Sequence, residues 1–380
     1  MDIEQRQWTQ QDGWRAVSSG PSVGSSAELA FVFGSTGVLS TAERIRDITE
    51  AFPRALLFGC STAGEICGTR VSDESLVVTA VRFDRTRVRG ASIHLKDVSS
   101  SEQTGARLAQ ALEPNGLAHV LVLSDGLKVN GSELVKGLTA HLPAAITVTG
   151  GLSGDGARFA KTLVFEGGTP SSDVVAVVGL YGDRLKIGYG SLGGWDPFGP
   201  ERLITKSTGN MLYELDGTSA LELYQRYLGE HAKGLPATGL LFPLCLRTQG
   251  GETGVVRTIL SVSEQDQSIT FAGDVPEGAY VRFMKANFDR LIDGAVGAAK
   301  TCHEALNGSS PDLALLISCV GRKLVLQQRI EEEVEGVRDV LGARTTLTGF
   351  YSYGEISPFT PRAKCELHNQ TMTITTLSER

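Results

Sequence analysis

Apolar and polar positions along this chain follow a block that recurs three times. It opens with the apolar run ELAFVFGS (28–35), and passes through TAERIRDITEAF, with Ile45, Ile48 and Phe52 at 3–4 residue spacing. A second apolar run, RALLFG, then leads into the glycine loop GCSTAGEI (59–66). The same order returns as AHVLVLSDG (118–126), GSELVKGLTAHL and AAITVTGGLSGDG (144–156), and as PDLALLISCVG (311–321), RIEEEVEGVRDVL and ARTTLTGFYSYGEI (343–356). Such spacing predicts strand, helix, strand and glycine loop in each copy, with the helices stopped at Pro53, Pro143 and Gly342. The first and third loops share Gly59/Gly349, Gly64/Gly354, Glu65/Glu355 and Ile66/Ile356. With the same order of elements before them, these identities mark an internal repeat.

The copies also resemble one another beyond their glycine loops. VVTAVRFDRTRVRGASIHL (77–95) and VVAVVGLYGDRLKIGYGSL (174–192) read as hairpins around Asp84-Arg85 and Gly182-Asp183, and the third copy ends in one strand, TMTITTL (371–377). A strand–helix–strand crossover makes a parallel pair, and hairpins add antiparallel strands. The expected fold is therefore α/β, with mixed sheets built from repeated units in two related modules. Residues 1–27, with Trp8 and Trp14, read as a loosely docked arm; the modules are placed at 28–225 and 226–380. An insert at about 196–300 holds EGAYVRF (277–283), a helix over 286–306 and a short helix over 219–228, capped by Thr218 and stopped by Gly229.

Length suits two or three units of ordinary size. The formal charge of −7 argues against a nucleic-acid footprint, which needs a concentrated basic surface. Glycine is frequent, 45 of 380 residues, without a collagen period, so tight turns and close backbone approaches are expected. No apolar run approaches the length of a membrane span, and MDIEQRQWTQ lacks a basic start and an apolar stretch. Those features, with six scattered cysteines read as buried thiols, predict a cytoplasmic protein.

Ligands of such sheets tend to sit beyond the carboxyl ends of parallel strands. Here those loops carry Ser35, Ser124-Asp125, Ser61-Thr62, Ser153-Asp155 and Tyr351 to Glu355. Hydroxyls and carboxylates beside glycines suit a small polar ligand. The plainer alternative is that the glycines close turns and the two glutamates cap neighbouring backbone.

GCSTAGEI, GGLSGDG, GWDPFGPERLITKSTGNMLYELDG and GFYSYGEISPF, then ELHNQTMTITTL, resemble in order the motifs of a FIST protein over about 28–378. The resemblance makes 28–225 a FIST N-type and 226–380 a FIST C-type module. It implies an intracellular sensory protein that binds a small ligand and signals to kinases, cyclases or chemotaxis machinery. With no obvious output domain in the chain, a separate partner is expected, and a homo-oligomer is compatible with this. The length and the stretch LYQRYLGEHAKGLPATGLLFPL (223–244) are similar to the NosP group, which implies b-type haem, nitric oxide as the gaseous ligand and a histidine kinase as partner.

Haem needs an axial imidazole or thiolate in an apolar pocket. His231, between a helix stop and an apolar run, is the first candidate, and His368 in CELH the second. His94, His119 and His141 read as structural or surface residues, and His303 as solvated. Zinc-like spacing is absent from the sequence, and Cys60 and Cys67 read as buried thiols. Without haem, the same loops suit an amino-acid-like metabolite. A hydrolase built on Ser61 is the alternative of another class, although Ala63 breaks the Gly-x-Ser-x-Gly elbow. GYGSLG (188–193) leads into a segment unable to start a helix, so it is not a dinucleotide loop. The expected reading is a non-enzymatic sensor whose ligand touches Ser61, Glu65, Asp155, Tyr351, Tyr353 and Glu355.

Overall fold

The computed structural model describes residues 1–17, 20–235, 237–247, 254–359 and 363–379. Its three crossover units are those the repeat predicts. Leu29–Gly34 runs parallel to Leu56–Ser61, Leu117–Ser124 to Thr147–Leu152, and Leu313–Cys319 to Thr346–Ser352. The helices Ala42–Ala51, Gly131–His141 and Ile330–Leu341 make the crossovers. Each unit owns one mixed sheet, because a return strand (Leu76–Arg82, Val174–Tyr181 or Met372–Glu379) pairs antiparallel with its first strand.

The sheets are then interlocked in a cycle. After its glycine loop, each unit sends a short strand into another unit's sheet. Glu65–Cys67 of the first joins the third, Val164–Glu166 of the second joins the first, and Gly354–Pro358 of the third joins the second.

The two expected hairpins do not form. Arg87–His94 leaves the first sheet and pairs with Val174–Tyr181 in the second; Leu185–Leu192 leaves the second and pairs with Met372–Glu379 in the third. A hairpin needs a free edge beside its first strand. Beside Leu76–Arg82 that edge is filled by Asp2–Thr9, which runs antiparallel along it from Asp2↔Arg82 to Trp8↔Leu76. The amino-terminal residues are thus a strand of the first sheet and not a loosely docked arm. Their polar sequence hides this: Gln5 is buried because its Nε2 donates to Thr79 Oγ1 at 3.1 Å and to Leu347 O at 3.0 Å. Asp2–Thr9 is to the first sheet what Arg87–His94 and Leu185–Leu192 are to the other two.

Inter-sheet contacts repeat as well. Thr79 bonds Thr348 at 2.9 Å and Thr375 bonds Thr149 at 2.7 Å, while the equivalent pair, Val178 and Phe58, belongs to the apolar core. Helix Ser101–Ala111 packs on helix Gly131–His141 through glycines on both sides. A Cβ at Gly137 would stand 2.0 Å from Glu102 O, and one at Gly105 would stand 2.2 Å from Leu134 O. Overpacking against backbone cannot be relieved by a rotamer change. Gly137→Ala is expected to destabilise the fold by ~3 kcal/mol, read as a lower urea midpoint.

Between the second and third units, Asp196–Lys285 builds a separate antiparallel sheet with its own core around Leu212, Tyr224, Phe271 and Phe283. Its helix Ala220–Leu228 ends at Gly229, which has φ +55°, as read from the sequence. Its cap is Ser219, one residue beyond Thr218, with Oγ accepting from Glu222 N at 3.2 Å. Helix Phe288–Ala305 leaves this unit and packs on the third sheet and on helix Ile330–Leu341. Among the described residues, no helix is long and apolar enough to cross a membrane.

Candidate functional site

The three glycine loops meet where the sheets interlock. Gly154 N donates to Ser61 O, Gly156 N to Thr62 O, Ala63 N to Tyr351 O, Tyr351 N to Gly64 O and Tyr353 N to Leu152 O. The structure brings Ser61, Asp155 and Tyr353 together here. Ser61 is fully buried; its Oγ donates to Gly154 O at 2.7 Å and accepts from Leu163 N at 2.8 Å. Histidine and acid partners, which a nucleophile would need, are absent from the described bonds of Ser61. The Tyr353 hydroxyl accepts from Asp155 N at 2.9 Å and donates to Gly156 O at 3.1 Å, while its ring stacks on Phe159. Burial works against the Asp155 carboxylate, but bonds from Arg158, Thr36 and Lys161 N prevail and hold it below its usual range.

Glu65 and Glu355 occupy equivalent places in their loops and make the same bonds. Glu65 Oε1 takes the Thr62 hydroxyl, and Oε2 takes Ser75 N at 3.1 Å and Ser75 Oγ at 2.7 Å. Glu355 Oε1 takes Ser352 Oγ at 2.6 Å, and Oε2 takes Thr371 N at 3.0 Å and Thr371 Oγ1 at 2.9 Å. Burial pushes both carboxyls up to about 7, against the pull of these bonds. Tyr351 lies on another side of the junction, its hydroxyl donating to Glu333 Oε1 at 2.6 Å. Glu333 in turn pairs with Arg322 at 2.7 Å, and both side chains are 0% exposed. The polar atoms of all six residues bond to the protein itself, in keeping with the turn-closing and capping alternative.

Neither candidate histidine has the surroundings of an axial ligand. His231 lies exposed on the 3-10 segment Gly229–Gly234, its ring against Phe242. His368 is buried, with Nε2 on Ser357 O at 2.8 Å and its ring beside Phe359; burial pushes it down to about 4. Its Nδ1 has no partner among the described residues, yet the residue borders neither of two cavities that flank the insert. These two residues do not fit haem. His119 is structural as read, buried between the hydroxyls of Thr147 and Thr149. Cys60 and Cys67 are buried free thiols, and burial pushes Cys67 up to about 12.

Open space lies at those two cavities. A cleft of about 2060 Å³ separates helix Gly131–His141 and strand Cys365–His368 of the three-sheet body from the inserted unit. Arg257 lines it at 7% exposure. Its Nε donates to Asp274 O at 2.9 Å, and its Nη1 to Leu367 O at 2.9 Å and Val256 O at 3.4 Å. Burial pushes its pKa down to about 10, so it stays a cation at neutral pH. Lys136, Arg247 and Lys364 add positive charge to the walls, and Asp274, Glu277 and Glu366 negative charge. A smaller cavity of about 250 Å³ lies between Gly126, Leu152 and Tyr353 on one side and Asn210, Leu260 and Thr270 of the insert on the other. Of the six contacts expected from the sequence, Tyr353 borders this cavity and the other five border neither. The clue missed was one charged residue inside an apolar run, VVRTIL (255–260), where a buried arginine calls for a reason.

Comparison with known proteins adds a family. Residues 28–218 match the model of the FIST N domain and 220–358 that of the FIST C domain. The uncharacterized protein MJ1623 of Methanocaldococcus jannaschii is 24% identical over 312 residues, 74% of this chain, and the match covers 57% of that protein's length. Among solved structures, a cyanuric acid hydrolase from A. caulinodans aligns over 78% of this chain and 99% of its own, at 12% identity and a TM-score of 0.19.

Proposed function

Because this chain belongs to the FIST family, whose domains are signalling sensors for small ligands, we propose that it is a cytoplasmic, non-enzymatic sensor of a small polar, amino-acid-like metabolite. Its ligand enters the cleft between the three-sheet body and the inserted unit, and the signal passes to a separate protein such as a histidine kinase. The observation that carries this reading is the cleft itself. Its two walls belong to units with separate apolar cores, so an occupant touching both favours one seating of the units over another. A sensor requires that differential affinity between two states. Walls of both signs suit a ligand with an ammonium and a carboxylate. The nitric-oxide reading through haem has less support, given the surroundings of His231 and His368.

Titration with a panel of amino-acid-like metabolites tests this. A true ligand at a hundredfold excess over its Kd is expected to stabilise the fold by about 2.7 kcal/mol. It is also expected to slow amide exchange along 132–147, 244–247 and 363–368. Protection confined to 59–65 and 349–355 would move the site back to the glycine loops. A Soret band after haem reconstitution, lost in His231→Ala, would restore the gas-sensor reading.

A further inference from the structure

Arg257 is the one buried cation that lines the cleft, among the described residues. Burying a guanidinium is costly unless its charge is answered, usually by a carboxylate held in its fork. Here the bonds made by Nε and Nη1 all end on backbone carbonyls, and Nη2 bonds to no described residue. Glu366 and Asp274 act on it electrostatically, but neither carboxylate is bonded to it. The Asp274 carboxylate takes Asn130 Nδ2 at 2.9 Å, and Glu366 is exposed on strand Cys365–His368. The backbone is shaped to admit the guanidinium: a Cβ at Gly273 would stand 3.0 Å from both Cζ and Nε of Arg257. Two of the carbonyls holding it, Asp274 O and Val256 O, belong to the insert, and the third, Leu367 O, to the second sheet's edge.

We propose that Arg257 is the anchor for an oxyanion, a carboxylate or phosphate carried by the small ligand, in the wall of the cleft. Such a group takes the donors of Nη2 and supplies the directly bonded anion that the guanidinium lacks among the described residues. It does so at a residue bonded to both walls, so its arrival stiffens the joint between the units. This inference rests on the cleft being the sensory site and adds the chemical class of what it holds.

Isothermal titration of the full chain with inorganic phosphate and, separately, with succinate at constant ionic strength tests it. At least one is expected to saturate; which one tells a tetrahedral from a planar oxyanion. Arg257→Lys keeps the charge but loses the fork, and is expected to weaken binding about tenfold. Should that variant fail to fold, Glu366→Gln stands in, since its site is exposed. Removing a negative charge near the guanidinium is expected to tighten anion binding about twofold or more. Two silent titrations, unchanged affinity in Arg257→Lys, or weaker binding in Glu366→Gln would each overturn the assignment. Neutral or cationic metabolites that saturate and protect the cleft, with both anions silent, would sink this inference and leave the sensor reading standing. Anions that bind without altering exchange in either wall would do the reverse.

Discussion

Glu333→Ala is expected to cost about 3–5 kcal/mol, because it strands a buried guanidinium. Arg322 and Glu333 are both 0% exposed, and the Arg322 fork meets one carboxylate oxygen through Nε at 3.0 Å and Nη2 at 2.7 Å. The other oxygen takes Tyr351 Oη at 2.6 Å and Ser318 Oγ at 3.1 Å. Alanine takes from two hydroxyls the carboxylate they share and from Arg322 its bonded counterion, while Arg322 keeps its carbonyl partners Gly193 and Leu291. Replacing the pair together, as Arg322→Met with Glu333→Leu, removes the charge and its need at once and is expected to be milder than the single change. Urea unfolding of the three proteins gives the comparison. A single-variant loss under ~1 kcal/mol would mean that water reaches this site and the pair is not a desolvated one.

The second large effect is a pH dependence opposite to ordinary acid denaturation. Burial raises the carboxyls of Glu65 and Glu355 from 4.5 to about 7, so the folded chain holds these protons more tightly than the unfolded chain does. Their contribution is complete below about pH 4.5 and is lost as pH rises through about 7. Each group accounts for about 3 kcal/mol across that window. The fold is therefore expected to be more stable at pH 5.5 than at pH 8. Glu65→Gln and Glu355→Gln should each flatten that slope, gaining stability at pH 8 with little change at pH 5. Acids held below their usual range, such as Asp155, Glu4 and Glu379, act with the opposite sign. Their contribution is lost as pH falls through the lower carboxylate range, which keeps the two effects apart. A wild-type curve flat from pH 5 to 8, unchanged by either glutamine, would show that both carboxyls ionise normally.

The outcome for Glu65 and Glu355 shows how far sequence pattern reaches. Their equivalence was legible from GCSTAGEI and GFYSYGEI, and the structure gives the two residues the same three bonds each. Their burial was not legible, because a carboxylate beside glycines reads alike in an open ligand loop and in a closed junction. The donors that close it, at Ser75 and Thr371, lie ten and sixteen residues away. Arg257 is the converse case. Its run VVRTIL suggests an ordinary strand, and only the packing of the insert against strand Cys365–His368 places its guanidinium at a cleft.

By itself the sequence determined the three crossover units, their helix ends and the family, since these depend on local spacing and on motifs read in order. Tertiary structure alone decided which sheet each later strand joins. The alternation of a strand says which face is buried, and its edge hydrogen bonds are the same for any neighbour. Asp2–Thr9 takes the edge that Arg87–His94 would have needed, and that choice carries the chain from sheet to sheet and closes the cycle. The same packing seals the glycine loops and leaves the open space between the insert and the second unit, where a buried cation still has an edge to fill.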